Sequence, residues 1–535
     1  MAYFCKRLAG TAIDTKLYTM PNRSTDSLFQ LIHSLQKSEK RNFKLYVKRN
    51  SSNNDLKVVQ LFDAIDKMSV YDESALISKT YSIKKQQLPN IKSHLYKQIL
   101  SSLRLLESSG NIDIMLHEQL DFAKLLYNKG LYHQSLKILE RIKEIADNNN
   151  QINFRIEALI LEKKIETLHI TRSMQDRADE LTQDVVLTNK KLIVQSKLSN
   201  LALQLYSWYI KNGLARNKDD EKEVEDYFHL YLTDDIKNPQ EFYEKLYYHQ
   251  SYCWYAFIRQ DYLMYYRHTY KWVDLFTNDP VMIRIETGNY IKGLHNLLNA
   301  HFTLRNYAGF EETLSLFEKF SKSDVVKLND NNKIQVFVYL YIAKLNRHFQ
   351  EGTFKEGLGM VSEITTRLEE YNLFLDQHRT LIFYYKIASL YFGAGDFSNA
   401  IDYLNKIINW RVSLRSDLQC YARLLHLIAH YELGNFQLLE YLIKTVYRFM
   451  SKMQNLSLVE EEIFRFLRKS FYLTAKKLKP EFEKLLNTIK QLETSKFETR
   501  AFAYLDIISW LESKVSDKPV YETIREKYLK GRKSL

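Results

Sequence analysis

The sequence predicts an all-α protein: a superhelical α-solenoid of about nine helical hairpins, preceded by an N-terminal helical domain. Three observations lead there. Only 14 Gly and 6 Pro occur in the chain, too few for the turns of a sheet protein or the glycine-rich loops that cradle nucleotides. At 535 residues the chain is longer than one hydrophobic core supports, so several domains or a repeat array are needed. A turn aromatic also recurs at Tyr262, Tyr307, Phe354, Phe397, Phe436 and Phe482, with separations of 45, 47, 43, 39 and 46 residues.

The first 23 residues are expected to be a disordered leader. MAYFCKRLAGTAIDTKLYTM lacks the apolar core of a signal peptide. Residues 24–112 form a basic helical domain, with apolar periodicity over 28–37, 56–68, 73–81 and 88–106 and a loop at SSNND, 51–55. Asp72 suits an N-cap and Pro89 a first helical turn. This domain is either a bundle capping the solenoid or a helix-turn-helix. Residues 113–515 carry the repeats, and 516–535 read as a last helix with a basic, frayed end.

The repeat is clearest in FYYKIASLYFGAGDFSNAIDYLNKIINW, 383–410. Apolar residues at helical spacing, Tyr384, Ile387, Ala388 and Tyr391, lead to the turn Gly395-Asp396-Phe397. A second amphipathic helix follows with Ala400, Leu404 and Ile407. Small Ala388 and Ala400 allow close approach, and Gly395 ends the first helix. The same grammar recurs in 120–142 (Ala123, Gly130, Tyr132, Ser135) and 424–443 (Gly434, Phe436), and more weakly in 297–317, 341–361 and 471–489. Between Tyr132 and Tyr262, turns are expected near Ser173 and Gly213.

These spacings resemble the tetratricopeptide repeat family, in a divergent form with a period longer than the family's ~34 residues. The resemblance implies stacked hairpins whose first helices line a concave groove. It places Tyr247, Trp254 and Phe257 on that groove, then Lys292, His295 and Asn299, then Tyr385 and Phe392. Some members clamp a peptide carboxylate with Lys, Asn and Arg; Lys292 and Asn299 match part of that pattern. LYYHQSYCWYAFIRQDYLMYYRHTYKW, 246–272, holds eleven aromatics in 27 residues. Cys253 takes the small helix–helix contact, and Tyr252, Ala256, Tyr265 and Trp272 take core-facing positions in the repeat. Tyr247 and Trp254 either anchor a ligand or pack against an extra helix or one another.

No phosphate-binding loop, dinucleotide fingerprint, HExxH or GxSxG is present. His426 and His430 share a helix face but lack a third metal ligand. Glu460-Glu461-Glu462 reads as a helix start. No catalytic, cofactor or metal site is expected. Cys5, Cys253 and Cys420 form no disulfide framework, which fits a reducing, cytoplasmic setting. No apolar run is long enough to span a membrane.

Net charge is +13, and residues 1–110 hold 18 Lys+Arg against 9 Asp+Glu. The expected function is a non-catalytic scaffold that binds a protein or peptide, its basic end docking an acidic partner. The alternative is a nucleic-acid-binding regulator whose repeats act as a sensor or dimerisation domain. In that reading Lys84, Lys85, Gln86, Gln87, Asn90, Lys92 and Lys97 meet the duplex, joined by Arg104.

Overall fold

The computed structural model describes residues 26–49, 55–80, 83–107, 110–169, 177–410, 416–453, 456–498 and 506–533. The expected leader, most of the SSNND loop, the turn near Ser173 and Cys5 lie outside them. Every regular element among the described residues is helical. None of these helices is long and apolar enough to cross a membrane.

The chain divides into two compact units, Met1–Ile142 and Lys143–Leu535. The division falls inside helix Tyr132–Asn148, beyond the boundary at 112 read from the sequence.

In the first unit, helices Ser27–Ser34, Lys37–Arg49, Asp55–Asp66, Glu73–Lys79 and Leu88–Glu107 enclose a core built on Ile32, Phe43, Leu61, Phe62, Leu95 and Ile99. Asp72 is the N-cap expected of it, accepting from the Ser74 and Ala75 amides. Lys37–Arg49 was not legible as a helix, because Phe43 and Val47 are its only buried residues among many charges. Helix Glu73–Lys79 packs mainly on Asp55–Asp66, whereas Leu88–Glu107 packs on Lys37–Arg49 and Asp55–Asp66. At the unit's end the Ser135 hydroxyl donates to the Ala123 carbonyl at 2.8 Å, across the close contact that the repeat grammar places there.

In the second unit, the hairpin signal is borne out at its turns. Gly213, Gly352, Gly395 and Gly434 all adopt positive φ. Gln260 and Arg305 take the same conformation where the repeat lacks glycine, and each is followed by Asp or Asn and then an aromatic. Ala388 and Ala400 are fully buried between Gln377–Ala394 and Phe397–Ile408. Trp272, Tyr265, Cys253 and Ala256 are buried as expected, whereas Tyr252 is only half-buried and stacks on His268. Glu460 starts a helix, where Ser457 and Glu460 form a capping box.

One expectation fails here. Phe482 is not a turn residue: it lies inside helix Ala475–Leu492, buried against Phe466 and Trp510. Residues 177–212 form one long helix. The expected C-terminal helix, Val520–Lys533, is docked: Arg525 donates to the Glu351 carbonyl and Tyr528 packs edge-on to Tyr307, and the chain end read as frayed lies beyond the described residues.

The second unit also returns on itself. Lys496 pairs with Glu221, which also binds Arg259, and Phe497 joins the cluster around Leu198, Phe228 and Trp254. Asp417 lies against Gly213. These contacts join residues far apart in sequence within the second unit.

Candidate functional site

Five helices of the second unit bring cations and aromatic rings together: Arg177–Asn212, Phe242–Ile258, Thr287–Thr303, Asp330–Glu351 and Gln377–Ala394. Trp254 is buried between Tyr206, at 4.9 Å between ring centroids, and Tyr209, stacked at 5.5 Å. Lys292 Nζ lies 4.5 Å from the Tyr206 ring centre and 5.3 Å from that of Trp254. One turn along, the His295 ring stacks on Tyr339 at 4.5 Å. The Tyr339 hydroxyl bonds to Arg379, which also pairs with Asp376 at 2.9 Å. Two turns beyond Arg379, Lys386 Nζ donates to Asn346 Oδ1 at 2.6 Å and sits over Phe349.

The electrostatics follow from this crowding. Burial, with Lys386, Lys292 and Arg379 nearby, pushes the His295 pKa down to about 3, so the ring is neutral at physiological pH. Burial, then Arg379, brings Lys292 down to about 8. Burial alone brings Lys386 down to about 8. These side chains are nevertheless only half-buried, so solvent reaches them. The arrangement offers a cationic recess with aromatic walls. It has no positioned nucleophile and base of the kind that acyl or phosphoryl transfer requires.

Of the eight groove residues read from the sequence, Trp254, Lys292 and His295 come together here. Tyr247 instead stacks on Tyr243. Phe257 packs on Tyr209 and Tyr265, and Asn299 bonds to the Tyr265 hydroxyl. Tyr385 and Phe392 do not line a groove: both are buried in the core that continues through Leu404 and Leu425. Tyr385 lies ten residues before its turn glycine, as His295 lies ten before Arg305, yet the residue that reaches the recess is its neighbour Lys386. One position is 100° around a helix, enough to exchange core for recess. Tyr206, Tyr339, Asn346 and Arg379 were missed. The signal for three of them was a seven-residue spacing on one helix face, Tyr339 to Asn346 and Arg379 to Lys386, matching Lys292 to Asn299.

In the first unit, Lys84, Lys85, Gln86, Gln87, Asn90 and Lys97 are exposed around helix Leu88–Glu107. Lys92 is not free for a phosphate, because it pairs with Asp26 and bonds to the Tyr71 hydroxyl. Arg104 pairs with Asp121 at 2.9 Å.

Two histidine pairs stand apart. His426 and His430 approach at 3.3 Å, and His249 and His268 at 3.1 Å. Among the described residues no group of three His, Cys, Asp or Glu is placed to hold a metal. A cleft of about 260 Å³ lies beside Arg155, Asp147, Asp184, Lys191 and Glu241, where its charges pair with one another. Comparison with protein-family models, curated proteins and solved structures finds no match for this chain.

Proposed function

We propose that the chain is a non-catalytic scaffold, a divergent tetratricopeptide-like α-solenoid of about nine hairpins that holds a protein or peptide segment in its concave interior. The observation that carries this reading is the joining of Trp254, Lys292 and His295 with Tyr206, Tyr339 and Lys386, drawn from five helices of the second unit. Rigid aromatic surface gives a bound segment apolar contact at low entropic cost, and the cations fix its polarity. The binding surface so read includes Tyr206, Tyr339, Arg379 and Lys386 and excludes the core residues Tyr385 and Phe392.

The test is capture from native lysate by the full chain, beside a Tyr206→Ala/Lys292→Gln variant, with and without nuclease. The reading expects a defined protein partner that resists nuclease and is lost with the variant. Capture that survives the variant but vanishes with nuclease would move the function to the first unit. The exposed row from Lys84 to Asn90 supports that second reading, a nucleic-acid-binding regulator. It requires binding to duplex DNA that weakens steeply with salt and is lost in Lys84→Gln/Lys85→Gln.

A further inference from the structure

We propose that Lys292, Arg379 and Lys386 form a recessed site for a phosphate-class dianion. As an account of what the bound segment carries, this rests on the scaffold reading; as an anion site it does not. Three permanent or near-permanent cations share the recess, and Asp376, paired with Arg379, is the carboxylate among them. Among the described residues no carboxylate pairs with Lys292 or Lys386, and His295 is neutral. The recess therefore holds two positive charges in excess.

Cation–π contact with Tyr206 and Trp254 steadies Lys292, and Asn346 steadies Lys386, but neither neutralises charge. Partly dehydrated like charges held together cost stability unless a counter-charge arrives. A monocarboxylate leaves one charge uncompensated, whereas a phosphate monoester balances both. The geometry agrees. Lysine ammoniums are compact donors, and here they approach from Thr287–Thr303 and Gln377–Ala394, with Arg379 adding a planar fork. Cations placed on two helices around the one His295 ring suit the several oxygens of a tetrahedral group better than the flat edge of a carboxylate. The Tyr206–Trp254 wall beside Lys292 accepts a ring or aliphatic stem on the same ligand.

The experiment is calorimetric titration of the full chain at neutral pH and fixed ionic strength. Inorganic phosphate and phenyl phosphate are compared with acetate and benzoate. Both phosphates should bind about tenfold or more tightly than the carboxylates, with phenyl phosphate the tightest. Lys292→Gln and Lys386→Gln should each weaken phosphate by about tenfold, while Lys84→Gln/Lys85→Gln leaves it unchanged. Removing an uncompensated cation should raise the melting temperature, so both interior variants should fold, and Lys292→Arg should recover most of the affinity. Equal affinity for carboxylates, or folded interior variants that bind phosphate like the wild type, would overturn the proposal. A phosphoserine peptide library beside its unphosphorylated counterpart separates the two readings. Binding of phenyl phosphate without peptide enrichment upholds the anion site and sinks the peptide reading. Enrichment indifferent to phosphorylation does the reverse.

Discussion

Lys292 and Lys386 carry the strongest consequence at the scale of single residues. Both are held near pKa 8 in the fold, by burial first and, for Lys292, by Arg379 second, against about 10.5 in an unfolded chain. Below pH 8 both states are protonated, and the folded state bears the full cost of two partly dehydrated cations. As pH rises from about 8 toward 10, the folded state releases protons first, so these residues add stability. Arg379, His295, Asp376, Tyr206, Tyr339 and the Cys253 thiol face them. Burial raises the Tyr206 and Cys253 pKa values, an opposing effect as those two groups begin to ionise. The difference between wild type and Lys292→Gln/Lys386→Gln isolates the lysines. The variant should melt higher than wild type at pH 7.5, with the gap closing by about pH 9.5. A constant gap across that range would show that neither lysine is perturbed. Half of this site was legible from sequence. Trp254, Lys292 and His295 sit on the helix face that the turn positions define. Lys386 escaped because projecting one repeat onto another assumes a fixed rotation, and here the inward position slips by a residue.

At the scale of elements, most of the architecture was written in local chemistry. Each clear hairpin turn needs one residue in the left-handed region, and glycine supplies it at Gly130, Gly213, Gly352, Gly395 and Gly434. A side-chain cap follows at Asp396, which accepts from the Asn399 amide, as Asp261 does from Met264 and Asn306 from Gly309. Where Gln260 and Arg305 take this conformation the turn aromatics Tyr262 and Tyr307 still marked the turn, but at Asn150 no such aromatic follows and the turn was not read. Not all these glycines do the same work. A Cβ on Gly395 would meet nothing within 4 Å, but on Gly352 it would lie 2.6 Å from the Tyr521 carbonyl oxygen and 2.8 Å from the Arg525 amide nitrogen. Gly395→Ala should therefore cost only the conformational penalty of the turn, about 1 kcal/mol. Gly352→Ala should cost that and a displaced helix Val520–Lys533 as well, about 3 kcal/mol or more. Chemical denaturation of the two variants checks the ordering, and equal losses would mean that the final helix does not bear on this turn.

At the scale of the whole molecule, the contacts that mattered most left no trace in the sequence pattern. An open repeat array has only neighbour contacts, so its repeats can unfold piecemeal. In the second unit, Lys496 reaches Glu221, Asp417 packs on Gly213, and Arg525 reaches Glu351. None of these pairs has a local signature, since each joins surfaces of unremarkable helices across a long stretch of chain. Their effect is to link the recess-bearing helices to the C-terminal ones, so that the recess depends on residues remote from it. Helix Val520–Lys533 tests this. It buries Ile524 and Tyr528 and packs on Asp330–Glu351, the helix that supplies Tyr339 and Asn346. Two buried side chains of that size are worth about 3–5 kcal/mol together. A chain ending at residue 518 should thus lose amide-exchange protection not only in Ile507–Ser516 but also in Asp330–Glu351 and Thr287–Thr303, and should bind phenyl phosphate more weakly than the full chain. If protection falls only in the helices adjacent in sequence, the final helix is a peripheral cap and the recess stands without it.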